Sequence, residues 1–420
     1  MNFDNFFAAQ SSFLWAAFVL ALVMGAVVNK TNFCTMGAVS DLVNIGDSGR
    51  FRAWLLAIAV ALLGVTLLEP LGLVNPNGSF PPYRGGELLW SENLLGGLMF
   101  GIGMTLASGC GNKCLIRIGG GNIKSIMVML IIGVIAYFMV SPFPGSDNTL
   151  FSLLFYDWLR PLSVNLGASQ DLGALLGGDS ADTARMVIGG GLGGLLLLFV
   201  FKSADFRSSL DNILGGVVVG LAIVAAWYVT TSITIEADGE MLSLGSYYEE
   251  WEMLADSDEG KPEQGRPLSP QSFTFINPMG QTLGYAGGGF SRGLLTFGVM
   301  AFLGVIAGSL LWSLLSRSFR FEWFSSVGDF VNHLVGAVLM GFGGTLAMGC
   351  TVGQGITGIS TLALGSFIAF VAIIFGSALT MKIQYYKIVY EEEAGFFKAL
   401  VASLADFHML PNSLRSLDKV

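Results

Sequence analysis

Cysteine is the residue type whose placement in this chain could carry chemistry. Two of the four, Cys110 and Cys350, hold matching positions in glycine-rich phrases, GIGMTLASGCGNKC at 101–114 and GFGGTLAMGCTVGQ at 341–354. Aligned from Leu94 and Leu334, the two stretches agree at nine of seventeen positions: Leu94, Gly96, Gly101, Gly103, Thr105, Leu106, Ala107, Gly109 and Cys110 match their partners 240 residues on. Chance in a chain this rich in Gly and Leu would give about two or three such matches, so the phrase is an internal repeat. A third cysteine, Cys34, lies in NKTNFCTMGAVSDL, where Asn29, Thr31, Asn32 and Thr35 interrupt apolar surroundings. Cys114 follows Cys110 as CxxxC, which on a helix puts both on one face. With no CxxC pair and only two histidines, neither a disulfide framework nor a metal site nor a cofactor is expected.

Thiols at such positions suit a soft, sulfur-bearing anion, because S–H is a weak donor that holds a polarizable sulfur without trapping it. Ionised thiols would repel an anion and lead to disulfides or persulfides instead. Free N–H groups at the start of a short helix add donors and partial positive charge without a buried Lys or Arg. Gly109, Gly111, Gly349, Gly353 and Gly355 let backbone approach a solute, the alternative being close helix packing. Lys113 is a candidate electrostatic guide or a snorkelling cation, and its counterpart is Gly353. Lys113, Cys114, Gly109, Gly111, Gly349 and Gln354 form a secondary set behind Cys34, Cys110 and Cys350. For Cys34 and Cys114 the competing reading is a small buried hydrophobe.

Hydrophobic residues make up 53% of the chain, charged ones 12%, and the mean hydropathy is +0.66, so the elements around these cysteines belong to an all-α polytopic membrane protein rather than a soluble domain. Apolar stretches long enough to cross about 30 Å of hydrocarbon run near 11–29, 53–69, 93–109, 125–141, 186–201, 211–231, 293–315, 328–348 and 361–381, about nine in all. Lys and Arg collect at alternate connections, which places the N-terminus outside and the C-terminus inside. The first apolar run lacks a basic leader and reads as a retained membrane segment. One transmembrane domain is expected over 1–381, with a first half of about 11–141, a second of about 205–381 and an exterior insertion of about 232–292, followed by a cytoplasmic tail at 382–420. The net charge of −9 is local: nine carboxylates and no Lys or Arg lie between Glu236 and Glu259, in an insertion where Tyr247, Tyr248 and Trp251 suggest either an ordered lid or a solvated loop.

This topology gives the segments ahead of Cys110 and Cys350 opposite directions, so the halves form an inverted repeat, an arrangement that places a solute site where helices break near the midplane. About 16 residues precede each Gly-Cys, after which neither GNK nor TVGQG makes a lipid-facing helix; broken or re-entrant segments are expected, surrounded by protein or a water-lined cavity. GGGN at 119–122 and GYAGGGF at 284–290 follow no strand and precede no GK[ST], which excludes nucleotide binding. No basic surface for nucleic acid is present.

In NFCTMGAVSD at 32–41, LASGCGNKCLIRIGGGN at 106–122 and LAMGCTVGQGITGISTLALGS at 346–366, the chain resembles the YeeE/YedE family of bacterial thiosulfate transporters, over about residues 12 to 381. The resemblance implies a multi-pass inner-membrane importer of thiosulfate, constricted like an hourglass, in which Cys34, Cys110 and Cys350 line the path and pass the anion along by transient S–H hydrogen bonds. Some relatives work beside a TusA-like sulfur carrier; the tail from Glu391 to Val420 has no cysteine, so such a partner would be a separate chain. Two other readings stand beside it: transport of another sulfur or selenium compound, and a membrane-embedded sulfurtransferase or thiol redox enzyme with Cys110 as nucleophile resolved by Cys114 or Cys34.

Overall fold

The computed structural model describes residues 1–237, 240–251 and 268–417. Five of the nine carboxylates in the acidic run at 236–259 lie outside them. Its aromatic part is described: Tyr247, Tyr248 and Trp251 pack around Phe6, with ring centroids 6.0, 5.9 and 5.2 Å from it.

Each apolar run forms a helix, since chain passing through hydrocarbon must satisfy its amides internally. In chain order the main helices are α1 (Phe6–Thr31), α2 (Thr35–Ser40), α3 (Gly49–Leu68), α4 (Trp90–Leu106), α5 (Gly111–Gly119), α6 (Ile123–Val140), α7 (Ala181–Phe201), α8 (Leu210–Ser232), α9 (Ile276–Gly287), α10 (Phe297–Leu315), α11 (Val327–Leu346), α12 (Leu364–Val389) and α13 (Phe396–Asp406). Eight helical segments among the described residues are long and apolar enough to cross a membrane, as a polytopic membrane protein requires. The expected run at 328–348 is α11, which falls short of that hydropathy because Asp329, Asn332 and His333 occupy its first turns.

Two sequence expectations need adjusting. The stretch read as exterior loop, 232–292, does not stay at the surface: Phe273 and Phe275 are fully buried, and α9 packs against α6 and α10. The composition of 232–292 obscured this, because the acidic run dominates it and α9 is only 12 residues long. Helix α12 also runs to Val389, past the expected boundary at 381, and α13 folds back against it.

Packing follows the internal repeat. Helix α1 packs on α10 and α8 on α3; α4 packs on α12 and α11 on α6. Helices α4 and α11 cross antiparallel through glycines at repeat-related positions. A Cβ on Gly96 would lie 2.6 Å from the Gly343 carbonyl oxygen, and one on Gly103 2.6 Å from that of Gly336. The reciprocal Gly336 and Gly343 positions give 2.6 Å to the carbonyls of Gly103 and Gly96. Only glycine admits two backbones this close.

Candidate functional site

All three principal cysteines begin short helices, and each preceding helix ends in the same way. Asn32, Ser108 and Met348 have φ of 51°, 58° and 54°, and each stands two residues before its cysteine. The Gly109 amide donates to Met104 O at 2.9 Å and the Gly349 amide to Gly344 O at 2.8 Å, closing α4 and α11 identically. A left-handed conformation at Ser or Met is strained, and such strain collects where the surrounding structure fixes a functional geometry.

The chain then turns into a second helix whose first amides have no carbonyl ahead of them. The Cys34 sulfur takes up this role, and the other two lie close to such amides. Cys34 is the N-cap of α2, its Sγ accepting from the Gly37 amide at 3.4 Å. The Lys113 amide interacts with the Cys110 sulfur, and those of Val352 and Gly353 with the Cys350 sulfur. In each case the amide three residues on from the cysteine reaches the thiol. With lone pairs so engaged, the S–H remains a donor for something outside the backbone.

Two helices from α4 and α11 therefore re-enter the protein: α5 after Cys110, and a helix over 351–360 with a π-helical core at Gly353–Gly358 after Cys350. A π segment is a frequent mark of a functional site. The thiols converge, Cys110 lying within electrostatic reach of both Cys34 and Cys350. All four cysteines are free and buried, at 6, 2, 1 and 0% exposure in chain order.

Around them lie polar groups that sequence spacing did not reveal. Tyr83 is in electrostatic contact with Cys350, and Thr351 stands beside the Cys110 sulfur. Buried Thr35 Oγ1, Trp54 Nε1, Tyr83 Oη, Asn112 Oδ1, Trp227 Nε1 and Thr274 Oγ1 have no hydrogen-bond partner among the described residues. Buried polar groups without partners are costly, and several together fit a polar guest.

The remaining candidates have clear places. Lys113 Nζ donates to Asn32 Oδ1 at 2.5 Å, tying the Cys110 helix to the turn ahead of Cys34. Arg50 and Arg117 interact electrostatically with this lysine, so positive charge collects beside the Cys34 and Cys110 turns. Arg50 is itself held by Asp41. The positions 240 residues on, Phe290, Gly353 and Thr357, carry no charge. Gln354 donates to Ala347 O and accepts from Ser366 Oγ at 2.5 Å, so it braces the Cys350 turn from behind. Gly109, Gly111 and Gly349 sit tight against Lys113, Ile276 and Gln354. Cys114 is buried one turn along α5 and caps no helix. Among the described residues no group of His, Cys, Asp and Glu could hold a metal ion.

The opposite side of the Cys350 helix is anchored by a buried ion-pair network. Arg84 Nε donates to Thr361 O at 3.0 Å and its Nη2 to Glu69 Oε2 at 2.9 Å. Arg185 clasps Asp171 through two bonds of 2.9 and 2.8 Å, and the Leu172 amide donates to Leu362 O at 3.0 Å. Burial alone would raise the Asp171 carboxyl, but bonds from Arg185, Ser169 and the Ala174 amide outweigh it and hold the group down at about 2.

The family described as Sulphur transport matches residues 30–379, which include all four cysteines and both re-entrant helices. A protein of Escherichia coli K12 named thiosulfate transporter TsuA is 25% identical over 387 residues, 87% of this chain and 93% of the relative. A protein of the same name from Spirochaeta thermophila is 22% identical over 380 residues, 87% of this chain and 97% of its own.

Proposed function

The chain belongs to the sulphur transport family, YeeE/YedE, and on that footing we propose that it imports thiosulfate across the bacterial inner membrane. The observation that carries the reading is the convergence of three thiols, each at the start of a short helix with its sulfur close to backbone amides. Cys34, Cys110 and Cys350 donate S–H hydrogen bonds in turn to the outer sulfur of the anion, while the amides and helix ends offset its charge. Weak successive contacts suit passage, because a site that binds tightly does not release. The inverted repeat is supported by the antiparallel crossing of α4 and α11, which brings two breaks to one constriction from opposite faces.

The cationic mouth at Arg50, Lys113 and Arg117 faces the cytoplasm on the positive-inside rule, with the N-terminus periplasmic. Since the thiols are buried, passage requires the constriction to open; the path is gated rather than a standing pore. A separate TusA-like carrier would receive the product at the cationic mouth. The second reading, sulfur transfer on Cys110, has the adjacent Cys34 in its favour as a resolving thiol.

Double labelling separates the two. Thiosulfate labelled at its outer or its inner sulfur is offered to proteoliposomes. Transport predicts equal accumulation of both labels inside the vesicle, whereas outer-sulfur label left on the protein and inner-sulfur label left outside would establish transfer.

A further inference from the structure

The thiol geometry has three members, yet the repeat has four positions. Shifted by 240 residues, Phe33–Cys34 falls on Phe273–Thr274. The match holds in three dimensions. Cys34 precedes α2, which packs on α3 and α12; Thr274 precedes α9, which packs on α10 and α6, their repeat counterparts. Cys34 is in electrostatic contact with Lys113, and the Thr274 side chain abuts Gly353, the residue equivalent to Lys113, so closely that a Cβ there would lie 2.8 Å from Thr274 Cβ.

Thr274 is 8% exposed, and its Oγ1 is buried without a hydrogen-bond partner among the described residues. It is also placed among the donors that surround Cys350. The amides of Gly353, which it touches, and of Phe275, which follows it, both interact with the Cys350 sulfur. The chain fixes this placement: the Phe273 carbonyl accepts from Thr357 Oγ1 at 2.7 Å, holding the 272–275 segment against the Cys350 helix.

We propose that the Thr274 hydroxyl is a substrate-binding donor at the position of a fourth thiol, and that it holds the sulfonate oxygens of the anion while Cys350 holds its outer sulfur. A hydroxyl is a stronger and harder donor than a thiol and matches an oxygen, whereas a thiol matches a sulfur. The asymmetric anion is thereby gripped at both ends on the neutral side of the constriction, where no Lys or Arg stands at the repeat-related positions. The inference rests on the thiosulfate reading above.

The test is the KM for thiosulfate uptake into proteoliposomes carrying wild type, Thr274→Val, Thr274→Ser or Thr274→Cys, together with the melting temperature of each purified protein. Loss of one hydrogen bond to an anionic oxygen predicts a KM raised about tenfold or more in the valine variant at unchanged melting temperature. Serine should restore the wild-type KM, and cysteine, a poor donor to oxygen, should not. A valine variant that is folded and has the wild-type KM overturns the assignment. If valine prevents folding, equal KM values for the serine and cysteine variants overturn it instead. Absence of thiosulfate uptake by the wild type would overturn the thiosulfate reading itself and this inference with it.

Discussion

At the scale of single residues, the chemistry follows from what each side chain can still offer after its neighbours are counted. The Cys34, Cys110 and Cys350 sulfurs face amides, so their protons are free to donate; Gln354 is bonded at both its nitrogen and its oxygen and is held in place as a brace. Lys113 is predicted to act through its charge: Lys113→Gln should lower uptake at low ionic strength by severalfold, and the deficit should shrink as salt rises toward about 0.5 M and screens the field. A deficit independent of salt, read from uptake rates over a salt series, would reduce Lys113 to its bond with Asn32. Cys34, Cys110 and Cys350 were legible because cysteine is rare here and one phrase repeats. Thr274, Tyr83 and Trp54 were not, since a threonine or an aromatic in an apolar chain gives no signal until the fold shows its polar atom buried without a partner.

At the scale of elements, the account depends on two helices that stop and restart. Their stopping was readable from sequence, because GNK and TVGQG cannot continue a lipid-facing helix; the left-handed residues that end them, Ser108 and Met348, were not, since neither is a glycine. The α4–α11 crossing sets how closely the two breaks approach. Gly103→Val should overpack it at a cost of about 1–3 kcal/mol, lowering the melting temperature in detergent by several degrees. Gly190→Ala on α7, where a Cβ meets nothing within 4 Å, should leave that temperature unchanged or raise it. Equal melting temperatures for the two variants would show that the crossing is not close-packed. Helix α9 shows the limit of hydropathy, for a buried helix of 12 residues after an acidic run looks like loop until its contacts with α6 and α10 are seen.

At the scale of the whole molecule, the fold gathers the buried cysteine turns inside a membrane protein and braces the end of the Cys350 helix with ion pairs. Asp171 is the member of that brace whose carboxyl is held well below its ordinary value. Its folded carboxyl lies at about 2, below the ordinary value of about 3.9, so its contribution to stability is present above about pH 4 and is lost as pH falls toward 2. The variant Asp171→Asn should lose stability at neutral pH and flatten this acid limb of the melting-temperature curve; an unchanged limb would exclude Asp171 from the brace. Length, composition and the repeat made the polytopic helical fold readable, and the nine expected segments all became helices. The convergence of four chain-distant turns was not, because it depends on how the helices cross. The most direct test is uptake of thiosulfate labelled at its outer sulfur into proteoliposomes bearing wild type, Cys34→Ala, Cys110→Ala or Cys350→Ala, with folding of each checked by its melting temperature. Intact label should accumulate with the wild type and fall about tenfold or more in every folded variant; wild-type rates in all three would remove the thiols from the path.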